Sequence, residues 1–287
     1  MSILQIFNLS VLAVKKNVKL ALIWFGVSFL MAFVSGLPLN SFLSKTIGSS
    51  LESMKLANGF DYTLLTDLLN NYGAGAGILM ESTFLMLILF LIFNLFFQAG
   101  WMATRAEEFL DDQAENVWPM GARFFLRFLF ISLVFTLFQG LWLFICFQLF
   151  MRMTGGMNLF LMDSELVITQ SLWVFVLLLL LGNTIIRLAG DYTKAHVVNQ
   201  GKSFSWGLMG SGFKTVFTKI RRVFGLYGLI ILSLSVIWGI QQFLTGLVPE
   251  ESGLAFVLFL IFQAYVFFRI MIRMVHLATV VQLEKMS

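Results

Sequence analysis

The sequence predicts an all-α, polytopic membrane protein: about six transmembrane helices, with interfacial amphipathic helices and a three-fold repeat of helical hairpins. Two facts of composition and one pattern predict it. Hydrophobic residues fill 59% of the 287 positions and charged residues only 12%, about half the share found in a water-soluble domain. The mean hydropathy is +0.89. Long apolar runs recur along the whole length, at about 20–39, 83–104, 126–150, 166–188, 223–247 and 253–274. Each is long enough to cross a hydrocarbon core of about 30 Å at about 1.5 Å per helical residue. Backbone groups in lipid must bond within their own segment, and the alternation of membrane β-strands is absent, so the runs are read as helices. Residues 1–287 read as a single integral membrane domain with no sizeable extramembrane part.

The first run follows Lys15, Lys16 and Lys19, the outline of a signal peptide. Its length suits a spanning helix better than a signal core, so it is read as an uncleaved first span. Basic residues then set the orientation. With the N-terminus in the cytoplasm, only Lys45, Lys55 and Arg152 of the 19 lysines and arginines fall on the far side. That positive-inside bias places both termini in the cytoplasm, and the expected home is a bacterial cytoplasmic (inner) membrane. In the first outer connection, about 40–82, Asp61 is positioned to cap a short helix, and Gly73-Ala74-Gly75-Ala76-Gly77 reads as a hinge into the second span.

The repeat is carried by the returning spans two, four and six. Asn94, Gln98, Thr104, Arg105 and Ala106 match Asn183, Arg187, Thr193, Lys194 and Ala195, and Arg269, Arg273 and Thr279 take corresponding places further on. An amphipathic basic stretch precedes each outgoing span: Ile3 to Lys19, Trp118 to Arg127 and Trp206 to Arg222. The unit is therefore an interfacial helix, a span out and a span back.

Most familiar chemistry is excluded. One cysteine, Cys146 in an apolar run, and two histidines supply no thiolate or Cys/His metal site, and no cofactor is expected. The basic residues flank apolar runs instead of forming one solvated patch, which points to anionic lipid and away from nucleic acid. Gly207-Leu208-Met209-Gly210-Ser211-Gly212-Phe213-Lys214-Thr215 resembles a phosphate-binding loop, but Phe213 separates the last glycine from the lysine and no strand precedes it. It reads as small residues in a membrane-surface elbow. Glu107, Glu108, Asp111, Asp112 and Glu115 lack the glycine and terminal glutamate of a calcium loop, and read as a solvated acidic face. Trp101, Trp118 and Trp206 are expected at the inner boundary.

Polar residues inside the membrane are the best functional lead. Asn94, Gln98, Asn183, Arg187, Asp191, Gln263, Arg269, Arg273 and His276 all lie in the inner halves or ends of the returning spans, where an ionisable group is costly unless it faces the bundle interior or snorkels. Arg187 and Asp191, four apart, share a face and can pair. Two readings stay open: a polar clamp with snorkelling, or a site for an anion or lipid headgroup. If the repeats pack about one axis, Asn94, Asn183 and Arg269 form one layer and Gln98, Arg187 and Arg273 a second. Outside the spans, Lys214, Lys219, Arg221 and Arg222 are expected to meet anionic headgroups at the membrane surface.

The stretch Arg187-Leu188-Ala189-Gly190-Asp191-Tyr192-Thr193-Lys194-Ala195-His196, followed by a basic elbow and another span, resembles bacterial six-helix membrane proteins of unknown function. It is similar to the non-catalytic membrane domain of some glycerophosphoryl diester phosphodiesterases. The phosphodiesterase barrel is absent from this sequence, so no phosphodiesterase activity is carried over, and the resemblance implies a bacterial cytoplasmic membrane. Three classes follow: a non-enzymatic scaffold or subunit of an envelope or export system with a membrane-protein partner, a transporter or binder of a lipid or amphipathic solute, and last an intramembrane lipid-acting enzyme. The topology is directly testable. After replacement of Cys146, single cysteines at 45, 55 and 152 should react with an impermeant reagent in intact cells, and a cysteine at 202 should not.

Overall fold

A computed structural model describes residues 2–46, 62–106, 117–154, 165–201, 206–248 and 254–286. Among them stand eight helices and no strand: α1 Ile3–Lys16, α2 Val18–Thr46, α3 Tyr62–Ala106, α4 Val117–Met153, α5 Glu165–Gln200, α6 Trp206–Thr218, α7 Ile220–Gly246 and α8 Ala255–Lys285. Six of these, α2, α3, α4, α5, α7 and α8, are long and apolar enough to cross a membrane. The protein is an all-α polytopic membrane protein.

The expected spans are found, but the helices overrun them. The fourth continues to Gln200 and the sixth to Lys285, so much of what reads as a connection after 188 is helix. The glycine run 73–77 is not a hinge, because α3 passes through it unbroken for 45 residues, about 67 Å at 1.5 Å per residue. Each glycine costs only about 1 kcal/mol against alanine in a helix, which the long flanks tolerate. Asp61, Lys55, Lys202 and the acidic run from Glu107 to Glu115 lie outside the described residues.

The chain forms two compact units, Leu22–Asn94 and Met1–Ala21 with Leu95–Ser287. In the smaller, Trp24 Nε1 donates to Asn94 Oδ1 at 3.0 Å, joining α2 to α3. Phe25, Phe29 and Phe33 stack along α2 with centroids 6.2 and 6.4 Å apart.

The larger unit shows how the repeats dock. Each lead-in stretch lies against the returning span of the repeat before it. The start of α4 lies on α3, where a side chain on Gly100 would strike Val117 and one on Gly121 would strike Phe96. α6 lies on α5, where a Cβ at Gly212 would collide with Ala189 O and Thr193 Oγ1. α1 lies on α8, with Ser10 Oγ 3.2 Å from Gln282 Oε1. The matched threonines Thr104, Thr193 and Thr279 are all buried and each bonds back to its own helix, at Trp101 O, Ala189 O and His276 O.

Two lead-ins also share an elbow. Asn17 and Lys219, between α1 and α2 and between α6 and α7, have φ −112 with ψ 33 and 30. The second lead-in does not follow the pattern, since residues 118–127 simply form the start of α4. There Pro119 falls in the first turn, where its missing N–H costs no helical bond.

Burial follows helical periodicity. On α1 the buried residues are Ile6, Ser10, Ala13 and Val14; on α4 Val117, Gly121, Phe124, Phe128, Ile131 and Phe135 alternate by four and three, the spacing of a left-handed seam. α1 opens with a capping box, in which Ser2 N donates to Gln5 Oε1 at 2.8 Å and Gln5 N to Ser2 Oγ at 3.3 Å. Trp101 is fully buried and donates to Met274 O at 2.9 Å, so it is a packing residue and not the boundary anchor expected. By contrast, at most 17% of the most apolar window of any span is buried, which leaves those stretches to lipid.

The segment 207–215 belongs to α6, so its N–H groups from Gly210 onward point along the helix to carbonyls one turn back, and it is neither a phosphate loop nor an irregular elbow. Its glycine matters for approach. Gly212→Leu should force α6 off α5 and destabilise the protein by about 1–3 kcal/mol, whereas Gly210→Leu, with open space around it, should change little. Thermal unfolding of the two purified variants compares them.

Candidate functional site

Polar residues at helical spacing converge inside the larger unit. On α4, Ser132, Thr136 and Gln139 recur at i, i+4 and i+7. On α5, Asn183, Arg187, Asp191 and Lys194 recur in the same way. With Gln98 from α3 and Arg273 from α8, they line a cavity of about 400 Å³. Such a stripe in an otherwise apolar helix is stable only if it faces a partner or a cavity.

Asp191 is the fixed point. Its side chain is 4% exposed and receives Arg273 on two prongs, Nη1 to Oδ2 at 3.2 Å and Nη2 to Oδ1 at 3.4 Å. His276 Nε2 lies 3.0 Å from Oδ2, and an ionised carboxylate there keeps the ring proton on Nε2. The His276 ring meets Tyr227 edge-on, with centroids 6.0 Å apart. The expected Arg187–Asp191 pair does not form, because the carboxylate turns across to α8 instead of along its own helix.

The cavity keeps an excess of positive charge. Arg187, Lys194 and Arg273 line it against the single carboxylate of Asp191. Lys194 is buried, with Nζ 5.8 Å above the Phe128 ring. Arg187 is exposed. Among the described residues, neither Arg187 nor Lys194 is held in an ion pair. Gln98 Oε1 and Ser132 Oγ are buried without a hydrogen-bond partner, a condition that costs about 1–3 kcal/mol per group when nothing fills it.

The structure sorts the sequence candidates. Gln98, Arg187 and Arg273, the expected second layer, all line the cavity, joined by Asn183 and Asp191. Arg269 is exposed and outside its lining. Asn94 belongs to the other unit, where Trp24 holds it. His276 supports Asp191 from behind without lining the cavity. The first layer of Asn94, Asn183 and Arg269 is therefore not assembled as a shared wall of this cavity. Sequence reasoning missed Lys194, Ser132, Thr136 and Gln139 as site residues. The seven-residue step from Arg187 to Lys194 and the polar stripe on α4 were the available signals.

The basic elbow splits. Lys214, Arg221 and Arg222 are exposed, but Lys219 is half-buried and its Nζ donates to Leu283 O at 3.4 Å, so it clamps α8 and is not a free headgroup contact. Beside it, Glu284 meets His196 Nδ1 at 2.8 Å and Thr215 Oγ1 at 3.3 Å, tying α5, α6 and α8 together.

Comparison with protein-family models, with curated proteins and with solved structures returns no match for this chain. The reading of the site therefore rests on its own geometry. Asp191→Asn should leave three cations around the cavity without a countercharge and destabilise the protein by about 3–5 kcal/mol. Added phosphate should raise the variant's unfolding temperature more than that of the unaltered protein, measured by scanning fluorimetry in detergent.

Proposed function

We propose that this is a non-enzymatic membrane protein that binds the anionic headgroup of a lipid or amphipathic solute in the cavity between α4, α5 and α8. Of the classes the sequence leaves open, this is the one the charge arrangement favours. The observation that carries it is Arg187 and Lys194, two cations facing a polar cavity and spent on no ion pair among the described residues. A purely structural clamp would need only Asp191, Arg273 and His276. The orientation inferred from the basic residues puts the cavity in the cytoplasmic leaflet of a bacterial inner membrane, with both termini cytoplasmic. Anionic headgroups are abundant at such a surface. The exposed Lys214, Arg221 and Arg222 on the α6–α7 elbow would draw them toward it.

Purification in native lipid, followed by mass spectrometry of the intact complex, tests this. The unaltered protein should retain an anionic lipid in stoichiometric amount. Arg187→Leu, which removes an exposed side chain and no bond to a described residue, should weaken retention about tenfold or more, since a hydrogen bond to a charged group contributes about 1.5–3 kcal/mol. Co-purification of a stable protein partner with no bound lipid would favour the scaffold class.

A further inference from the structure

We infer that the cavity selects a doubly charged phosphate monoester carried on a lipid over the singly charged phosphodiester of common phospholipids. The inference rests on the reading above and specifies its ligand.

Charge sets the preference. Arg187, Lys194 and Arg273 face one carboxylate, Asp191, leaving a formal excess of two positive charges in the cavity lining. Lys194 is buried, so its share of this excess is less screened by water than a surface cation's, and charges interact more strongly as the effective dielectric falls. A monoester dianion neutralises it; a phosphodiester leaves one charge over.

Hydrogen bonding agrees. A terminal phosphate offers three non-bridging oxygens, all acceptors, and the cavity is rich in donors. Arg187 supplies a guanidinium fork suited to phosphate and Lys194 a point charge. Ser132 Oγ is buried with no partner, and its hydroxyl can donate to a phosphate oxygen. Gln98 Oε1 is likewise unpartnered, and a half-turn of its amide presents Nε2 in the same place. The Ser132 hydroxyl and the turned Gln98 Nε2 thus both donate to one ligand.

Size limits what enters. About 400 Å³ lies at the lower end of the roughly 300–1,000 Å³ of small-molecule sites. That accommodates a phosphate and the first carbons behind it, so the lipid chains stay outside.

The experiment uses the full chain in phosphatidylcholine nanodiscs at about pH 7, where a phosphomonoester carries about −1.5 to −2 charges. A fluorescent phosphatidate is displaced by unlabelled phosphatidate, by phosphatidylglycerol of the same chains, or by inorganic phosphate. Phosphatidate should bind about tenfold more tightly than phosphatidylglycerol or better, and Arg187→Gln should narrow the gap to about twofold. Among the described residues Arg187 makes no ion pair, so an unchanged unfolding temperature verifies that the variant is folded. Equal affinity for the two lipids would overturn the monoester inference while leaving anionic headgroup binding intact. Absence of displaceable binding to either lipid would overturn both. Displacement by inorganic phosphate at concentrations equal to phosphatidate would keep the dianion and overturn its lipid source.

Discussion

Taking a carboxylate out of water is costly unless its charge is matched and its oxygens are bonded, and Asp191 meets both conditions only through α8. Arg273 takes both carboxylate oxygens and His276 holds one of them. The pairing fixes the register between α5 and α8. It also decides where the remaining cations stand, because Arg187 and Lys194 share the helix face of Asp191 and must face the same space. The cavity is in that sense a by-product of the clamp: the acid is spent across the interface and the bases beside it are left to the interior. Removing one partner from such a pair is far more damaging than the pair is stabilising, since the other charge stays behind.

Around this pair the packing is concentrated at one end of the larger unit. Trp101, Phe97, Phe128, Leu188, Met274 and Leu277 are buried there, while the most apolar stretches of the spans bury few residues within the chain. Helices in lipid gain little from burying apolar side chains against one another, because the lipid tails are equally apolar, and they rely on close approach and polar contacts. The glycines at 100, 121 and 212 supply the close approach. Asp191, Glu284 and the buried threonines supply the polar contacts. Asymmetry enters through a single repeat: the positions corresponding to Asp191 are Met102 and Leu277, so at this level only the middle hairpin carries an acid that needs a clamp.

Hydropathy alone made the class and the six spans legible, because a lipid-facing helix has no way to hide its composition. The cross-repeat grouping of Gln98, Arg187 and Arg273 was also legible, since matched positions in a repeat share a level. The partner of Asp191 was not. Spacing on one helix finds Arg187, but the competing partner sits on a helix more than eighty residues away, and only the tertiary arrangement reveals which contact wins. Trp101 was misread for a related reason, as aromatic residues near a span end serve as boundary anchors or as interior packing and composition does not separate the two. The glycine run in α3 was misread because local propensity was given more weight than the long helical flanks.

The docking of each lead-in stretch on the preceding return span is cyclic, and a cycle has no favourable order of assembly. α4 can settle on α3, and α6 on α5, as soon as they are synthesised, because their partners already exist. α1 is made first, yet its dock lies on α8, made after every other helix. Until then its apolar face, Ile6, Ala13 and Val14, lacks that dock. Closure of the ring therefore waits for translation of the last span, so the seam between α1 and α8 is the last in the cycle able to form. A ribosome stalled before α8 would leave the first helix without its main dock, with α7 its nearest protein neighbour.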